Sequence, residues 1–467
     1  MRDRVLSATQ ACKQLRKQVA TPQELKTQLL DEISRKDPKL RAFLFANNAV
    51  ASSQSNTLLC GLPISVKDQF HVAGTPCSFG LEKRVQSETT APVIENLLRQ
   101  GATLLGKTSL PPLAMDFQTS NKLTGVCKNP WNTSYTSGGS SGGGAAAVAS
   151  GMSYVDIGAD LAGSLRIPAS FCGVYSLMPS EGAVSNKGIF LDPKTTVSHF
   201  ARPGPIVRTP EDLLLIWGAI IGSERSYIER KDENQPIRLA IWDEIEELPL
   251  DREIFVQMNE ISSKWQESGV SLQRDKPSCF DFSDCWRLYG QIMGYETSGI
   301  MNPFIRWISI LSGKTNRKLS PYFFSNVIRG YKRKKADYEL ALAQRQQIIQ
   351  YAESFFEKYD AWVLPVTCSK VFNHMSPTSE KGPNREYHKP LSINNIDVNY
   401  LDALTAYTTP VSLIGHPVVT MPIGTDSNGL PIGVQVVGKM NDEHRLIAIV
   451  ERLSKQIQMP VCPSLQN

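Results

Sequence analysis

Between residues 7 and 37, the apolar positions Ala11, Leu15 and Val19, then Leu25, Leu29, Leu30 and Ile33, recur at the spacing of a helix with one buried face. Thr21-Pro22 interrupts this pattern and restarts it as an N-cap followed by proline at the first helical position, so two amphipathic helices are predicted. Residues 40–45 and 62–66 are short, mostly apolar runs bounded by turn formers and read as strands. Residues 91–101 return to helical spacing and 103–106 to strand character. The order strand, helix, strand predicts parallel α/β packing. Residues 154–157 form another short strand candidate, and the alternation continues through 174–177 and 213–221.

The texture then changes. Residues 223–235 are densely charged and read as a surface loop, and the stretch from there to about 395 is richer in long helical patterns such as 336–359. It is expected to be a more variable, largely helical region laid over a catalytic core. The basic run Arg329-Gly-Tyr-Lys-Arg-Lys-Lys335 inside it reads as a solvated helix face in preference to a phosphate or nucleic-acid patch. Residues 359–365 return to strand character. Residues 418–422 and 432–438 flank a turn at 426–429, which predicts paired strands, and 442–455 should close the chain as a helix.

Composition narrows the class without naming it. A chain of 467 residues assures a sizeable core, and 41% hydrophobic with 20% charged residues is ordinary for a soluble globular protein. A formal charge of +5 is small for this length and gives no argument for a nucleic-acid partner. The nine cysteines are scattered and contain no CxxC pair, which disfavours a structural zinc site or a disulfide framework and favours a reducing, cytoplasmic setting. The charged amino terminus has no apolar segment behind it, and no window of about eighteen apolar residues exists, so neither a secretory signal nor a membrane span is expected.

Candidate chemistry concentrates in the run Ser137-Gly-Gly-Ser-Ser-Gly-Gly-Gly-Ala-Ala-Ala-Val-Ala-Ser-Gly151. Gly/Ser composition alone suits a flexible linker, yet Asn129-Pro-Trp-Asn132 before it and the strand candidate after it look folded. Clustered glycines in folded surroundings point to positive φ or close backbone approach. Gly138-Gly-Ser140-Ser-Gly142 matches a nucleophile elbow, but the turn formers Thr133-Ser-Tyr-Thr-Ser137 make a poor preceding strand. None of His71, His199, His374, His388, His416 and His444 stands in a setting that marks a base, and no Lys-Ser or Lys-Thr closes the run as a P-loop would.

A second corner follows in Asp160-Leu-Ala-Gly-Ser164-Leu-Arg-Ile-Pro168. A helix of about nine residues from Gly142 travels roughly 14 Å. A strand of about six residues from Ser153 to Gly158 returns roughly 20 Å. Both corners can then meet at one end of the sheet, with Ser140 and Ser164 as neighbours. Backbone N–H groups of Leu161, Ala162, Gly163 and Ser164 would suit an oxyanion. Lys67 ends the apolar run Leu62-Pro-Ile-Ser-Val66, where burial would lower its pKa and let it accept a proton; otherwise it is a surface charge or a partner of Asp68.

These residues resemble the amidase signature family over most of the chain. The matching pieces are Pro63-Ile-Ser-Val-Lys-Asp68, Gly106-Lys-Thr-Ser109, Ala114-Met-Asp-Phe117 and Asn129-Pro-Trp-Asn132, followed by the glycine run 138–144. Residues 158–168, Phe171-Cys-Gly173, Gly415-His-Pro417 and Gly429-Leu-Pro-Ile-Gly433 complete them. The resemblance implies one domain over 1–467, with a catalytic core at about 1–225 and 396–467 and a substrate-pocket region at 226–395. The implied fold is α/β, a large mixed, twisted β-sheet surrounded by helices. It implies a triad of Ser164 as nucleophile, Ser140 as a bridging serine reached through a cis peptide from Gly139, and Lys67 as general base. Ser141 is the competing bridge, but the 24-residue interval from Ser140 to Ser164 matches the family and leaves Ser141, with Gly139, Asp160 and Arg166, in supporting roles. Ala162 departs from the glycine common there and would strain the turn if it needed positive φ.

The implied reaction is hydrolysis of a carboxylic amide to acid and amine or ammonia through an acyl-enzyme, with no metal or cofactor and a small-molecule amide as partner. An alternative is the glutaminase-type A subunit of a tRNA-dependent amidotransferase, which Ala114-Met-Asp-Phe117 resembles less. The sequence leaves the oligomeric state, a homodimer included, and the identity of the amide open.

Overall fold

The computed structural model describes residues 5–49, 56–222, 235–304, 306–311, 320–377 and 389–466. The charged segment expected as a loop at 223–235 lies outside them but for its last residue.

Its organising element is an eleven-stranded sheet. In chain order the strands are β1 (Phe43–Ala46), β2 (Pro63–Lys67), β3 (Thr103–Thr108), β4 (Val155–Asp160), β5 (Tyr175–Met178) and β6 (Arg202–Val207). They continue as β7 (Arg238–Ile241), β8 (Ser271–Arg274), β9 (Ala361–Pro365), β10 (Val418–Thr425) and β11 (Pro431–Val437). Across the sheet they run β1-β3-β2-β4-β6-β5-β10-β11-β9-β7-β8. The pairs β2–β3, β2–β4, β7–β8 and β7–β9 are parallel and the other pairs antiparallel, so the sheet is mixed, as expected.

The local signals explain most elements. Helix α1 (Ala8–Arg16) starts in a capping box at Ser7 and Gln10, and α2 (Pro22–Leu40) in one at Thr21 and Glu24 with proline at its first position. Because α2 runs on through Pro38 to Leu40, the strand expected from residue 40 begins at Phe43. Helix α3 (Pro92–Arg99) crosses from β2 to β3, the parallel unit the alternation predicts. Helix α4 (Gly142–Ala149) follows the glycine run, α5 (Arg166–Cys172) the second corner, and α6 (Pro210–Ile221) starts at the Thr209 cap. The hairpin of β10 and β11 closes through Asp426–Gly429, where the Gly429 N–H donates to the Asp426 carbonyl at 2.9 Å and Gly429 holds φ 74°.

Region 226–395 differs from a helical cover. It supplies α7 (Arg252–Glu267), α8 (Phe282–Gly299), α9 (Phe324–Tyr331) and α10 (Lys335–Lys358), but its strands β7, β8 and β9 extend the central sheet. The strand character of residues 359–365 anticipates β9, whereas the short runs of β7 and β8 were outweighed by the longer helical patterns around them. In the basic run Tyr331 is buried and Lys332, Lys334 and Lys335 are exposed, the solvated surface expected there.

Helices α11 (Tyr400–Thr405), α12 (Thr408–Ile414) and α13 (Glu443–Ser454) follow in the carboxy-terminal part. Helices α1, α2, α3, α6, α7 and α13 share one core with one face of the sheet, and α5, α8, α9, α10, α11 and α12 share the other. Helix α4 contributes to both. Ile64, Val66, Val155, Ile157 and Ala159 lie in the first core, so alternation turns Ser65, Lys67, Asp156 and Asp160 to the opposite face. No helix among the described residues is long and apolar enough to cross a membrane.

Candidate active site

Lys67 ends β2 between two parallel neighbours, where both faces are covered and the side chain is fully buried. Its Nζ donates to Ser140 Oγ at 2.7 Å and to Ser141 Oγ at 3.0 Å. Burial pulls the amine down to about 7, against the opposing pull of Asp156 and then Asp160. Lys67 is not the partner of Asp68. That carboxylate takes the buried Lys107 ammonium at 3.2 Å and the Ser78 N–H at 2.8 Å, with the Ser78 hydroxyl closer still. Lys107 belongs to the Gly106-Lys-Thr-Ser109 motif, so the signal for the pair was in the sequence; its pairing was not.

The glycine run is a packed corner. The Gly139–Ser140 peptide is cis. A Cβ on Gly139 would come within 2.7 Å of the Phe117 backbone, and one on Gly144 within 1.9 Å of Asp156 Oδ2, so glycine is required where chain presses on chain. No strand leads directly into Ser140, which removes the nucleophile-elbow geometry.

The two corners do meet. The Ser141 N–H donates to the Ser164 carbonyl at 3.1 Å. The returning strand is Val155–Asp160, later than the expected 153–158, because Ser153 turns its hydroxyl onto the Val155 carbonyl at 2.7 Å. Ser164 is 7% exposed, and its hydroxyl makes no hydrogen bond among the described residues. The contact between Lys67 and Ser140 is therefore made, while the one from Ser140 to Ser164 is open in this structure.

Asp160 and Arg166 hold the second corner. Asp160 Oδ1 accepts from the Gly163 N–H at 2.7 Å and from the Arg166 guanidinium at 2.9 Å. Its Oδ2 accepts from the Leu165 N–H at 3.0 Å and Arg166 Nε at 3.1 Å. Burial alone would raise this carboxyl, but Arg166 and the turn amides outweigh it and hold it at about 2. The Gly163 amide is thus spent on Asp160. Of the four amides expected for an oxyanion, those of Leu161, Ala162 and Ser164 donate to nothing among the described residues. Ala162 causes no strain, since the positive φ of this turn, 127°, falls on Gly163.

Distant residues finish the corner. Tyr289 on α8 donates to the Leu161 carbonyl at 2.9 Å and Thr408 on α12 to the Ala162 carbonyl at 2.7 Å. Arg166 reaches the Thr408 carbonyl at 2.8 Å, Ser412 Oγ at 2.7 Å and Gln435 Oε1 at 2.9 Å. No local pattern marks these partners, but Asp156, an acid between the apolar Val155 and Ile157 on β4, could have been found from the sequence.

Asp160→Asn should destabilise the protein by about 3–5 kcal/mol, the usual effect of stripping one partner from a buried ion pair. The depressed carboxyl contributes stability that is full above its ordinary 3.8 and is lost as pH falls towards about 2. Denaturant unfolding of wild type and variant at several acidic pH values reads both effects.

The histidines are engaged elsewhere. His71 meets Ser87 Oγ at 3.1 Å and the Phe190 carbonyl at 3.0 Å, and His199 pairs with Glu296. His444 lies beside Trp217 and the His374 N–H donates to the Ser134 carbonyl; His388 is outside the described residues. Burial drives the His416 imidazole down to about 4. A cavity of about 660 Å³ between residues 243–255 and Asn394-Asn395 is lined by none of Lys67, Ser140 and Ser164.

A large mixed sheet with helices on both faces, and a buried lysine set against the serines of one glycine corner with a second corner docked on it, are the features of an α/β protein with a candidate hydrolase site. The chain belongs to the amidase signature family of hydrolases: the family model named Amidase matches residues 27–447. Among curated proteins it is 29% identical to the A subunit of glutamyl-tRNA(Gln) amidotransferase from Methylacidiphilum infernorum, covering 92% of this chain and 90% of the relative. Among solved structures it resembles 6-aminohexanoate cyclic dimer hydrolase, with a TM-score of 0.78 at 21% identity and 100% coverage of both chains. It also resembles a bacterial aryl acylamidase, with a TM-score of 0.77 at 20% identity, covering 97% of this chain and 96% of that one.

Proposed function

We propose that this protein hydrolyses a carboxylic amide through an acyl-enzyme on Ser164, acting as one catalytic unit with the 226–395 region shaping the acyl pocket. The observation that carries the reading is the buried Lys67 amine donating to Ser140 at 2.7 Å beside the corner that bears Ser164. Near neutral pH a large fraction of Lys67 is uncharged and can take a proton. Substrate binding closes the open contact, Ser164 passes its proton through Ser140 to Lys67, and its oxygen attacks the carbonyl carbon. The free amides of the 161–164 turn receive the oxyanion. The protonated relay then gives its proton to the departing nitrogen, and water releases the acid by the same route.

Labelling with a serine-directed phosphonate, followed by peptide mapping, tests this assignment. Ser164 should carry the label, and Ser140→Ala should slow labelling severely. Each histidine replaced singly should leave most hydrolytic activity; a histidine variant as inert as one lacking Ser164, with its fold intact, would defeat the lysine-based reading.

The curated relatives favour a second reading, in which the chain releases ammonia from glutamine inside an amidotransferase. The two separate on one measurement. The purified chain alone should hydrolyse simple amides; activity that appears only with partner proteins and glutamine would select the second.

A further inference from the structure

The face of the sheet that carries Lys67 also carries a carboxylate with no part in the proposed relay. Asp156 lies on β4 with its side chain fully buried. It is the register partner of Ser65 across the parallel β2–β4 ladder, and Lys67 stands two residues along β2 on the same face. Its Oδ1 accepts from Ser65 Oγ at 2.7 Å and from Thr108 Oγ1 at 2.9 Å, and Thr108 is the register partner of Lys67 on β3. Asp156 is thus held by the residues that flank Lys67 along its strand and across the ladder.

Its other oxygen has no such holder. Oδ2 is buried without a hydrogen-bond partner and lies against the Gly144 backbone. Helix α4, packed above, has no titratable side chain from Gly142 to Ala149. The charged groups acting on Asp156 are Lys67 from β2 and Lys107 from β3, while Asp160, further along β4, acts with Asp156 on Lys67. Leaving a carboxylate oxygen buried and unpaired costs stability, which the two bonds to Oδ1 offset only in part.

We propose that Asp156 is a positioning residue for Lys67, a negative charge that Ser65 and Thr108 hold on the sheet face carrying the amine and that keeps it a competent proton acceptor. The inference rests on the reading of Lys67 as the base. Without an opposing charge, burial can carry a lysine to pKa values of about 5–6, where it accepts a serine proton poorly. Asp156 is the foremost charge opposing that descent.

The test is Asp156→Asn, which keeps the shape and an acceptor for Ser65 and Thr108 but removes the charge. Two rates are followed from about pH 5 to pH 9: kcat/KM for an amide substrate, and phosphonate labelling of Ser164, which needs no substrate. Loss of the negative charge favours the neutral amine, so the acid limb of both profiles should move to lower pH by about one unit. The plateau should fall several-fold as the base weakens. Ser65→Ala, which removes one of the two donors and leaves the sheet paired, should move the limb the same way by less, and it decides the matter if Asp156→Asn does not fold. Uniformly lower rates with an unmoved acid limb would reduce Asp156 to a structural role and overturn the proposal. Full labelling in Lys67→Ala would instead defeat the base assignment, so the two failures are distinguishable.

Discussion

Ser164→Ala loses at least about four orders of magnitude in kcat, as expected when the nucleophile of a serine hydrolase is removed. The protein should remain folded and within about 1 kcal/mol of wild-type stability, because the Ser164 hydroxyl makes no hydrogen bond among the described residues and so no native bond is lost. Turnover assays with the amide accepted by the wild type, alongside denaturant unfolding, check both halves. The backbone carbonyl of Ser164 still receives the Ser141 N–H, so the corners stay docked. Residual turnover above a few thousandths of wild type would move the nucleophile to another serine and end the acyl-enzyme assignment.

The second large effect belongs to Lys67→Met, which keeps the length and apolar stem of the side chain but removes the amine. The rate near neutral pH should fall by about 10²–10⁴, the usual contribution of a positioned general base. The pH dependence of stability should change as well. Lys67 is held at about 7 in the folded protein, against an ordinary 10.5. Between those values the unfolded chain binds the extra proton, so in wild type this residue makes stability rise with pH across that window. Methionine removes that slope. Unfolding free energies at several pH values between about 7 and 10 read the sign directly, and an unchanged slope would mean that Lys67 is not titrating as a buried amine.

The parts of the site legible in the sequence are those that local spacing controls. The period of residues 91–101 followed by 103–106 yields a parallel β2–α3–β3 unit. The lengths of one helix and one strand bring the corner of Ser140 to the corner of Ser164, where the bond that forms runs from the Ser141 N–H to the Ser164 carbonyl. What stayed hidden is set by contacts far apart in the chain. Asp68 finds Lys107 39 residues away, and Tyr289 reaches Leu161 across 128. The capture of the Gly163 amide by Asp160 is close in sequence but depends on how the turn folds back. In 226–395, β9 was legible in the strand character of 359–365, but β7 and β8 were outweighed by the helices around them, since a four-residue run carries little periodicity of its own.

Arg166 also ties completion of the second corner to the order in which the chain is made. Its guanidinium is held on one side by Asp160, only six residues back, and on the other by groups up to 269 residues ahead. Thr408, the first of those groups, is 242 residues further on. At a synthesis rate of about 5–20 residues per second, that gap corresponds to roughly ten to fifty seconds. During that interval the nascent chain can carry Lys67, Ser140 and Ser164 outside the ribosome while the corner bearing Ser164 still lacks its far wall. The protein should gain activity late in its own synthesis, as α12 and β11 arrive.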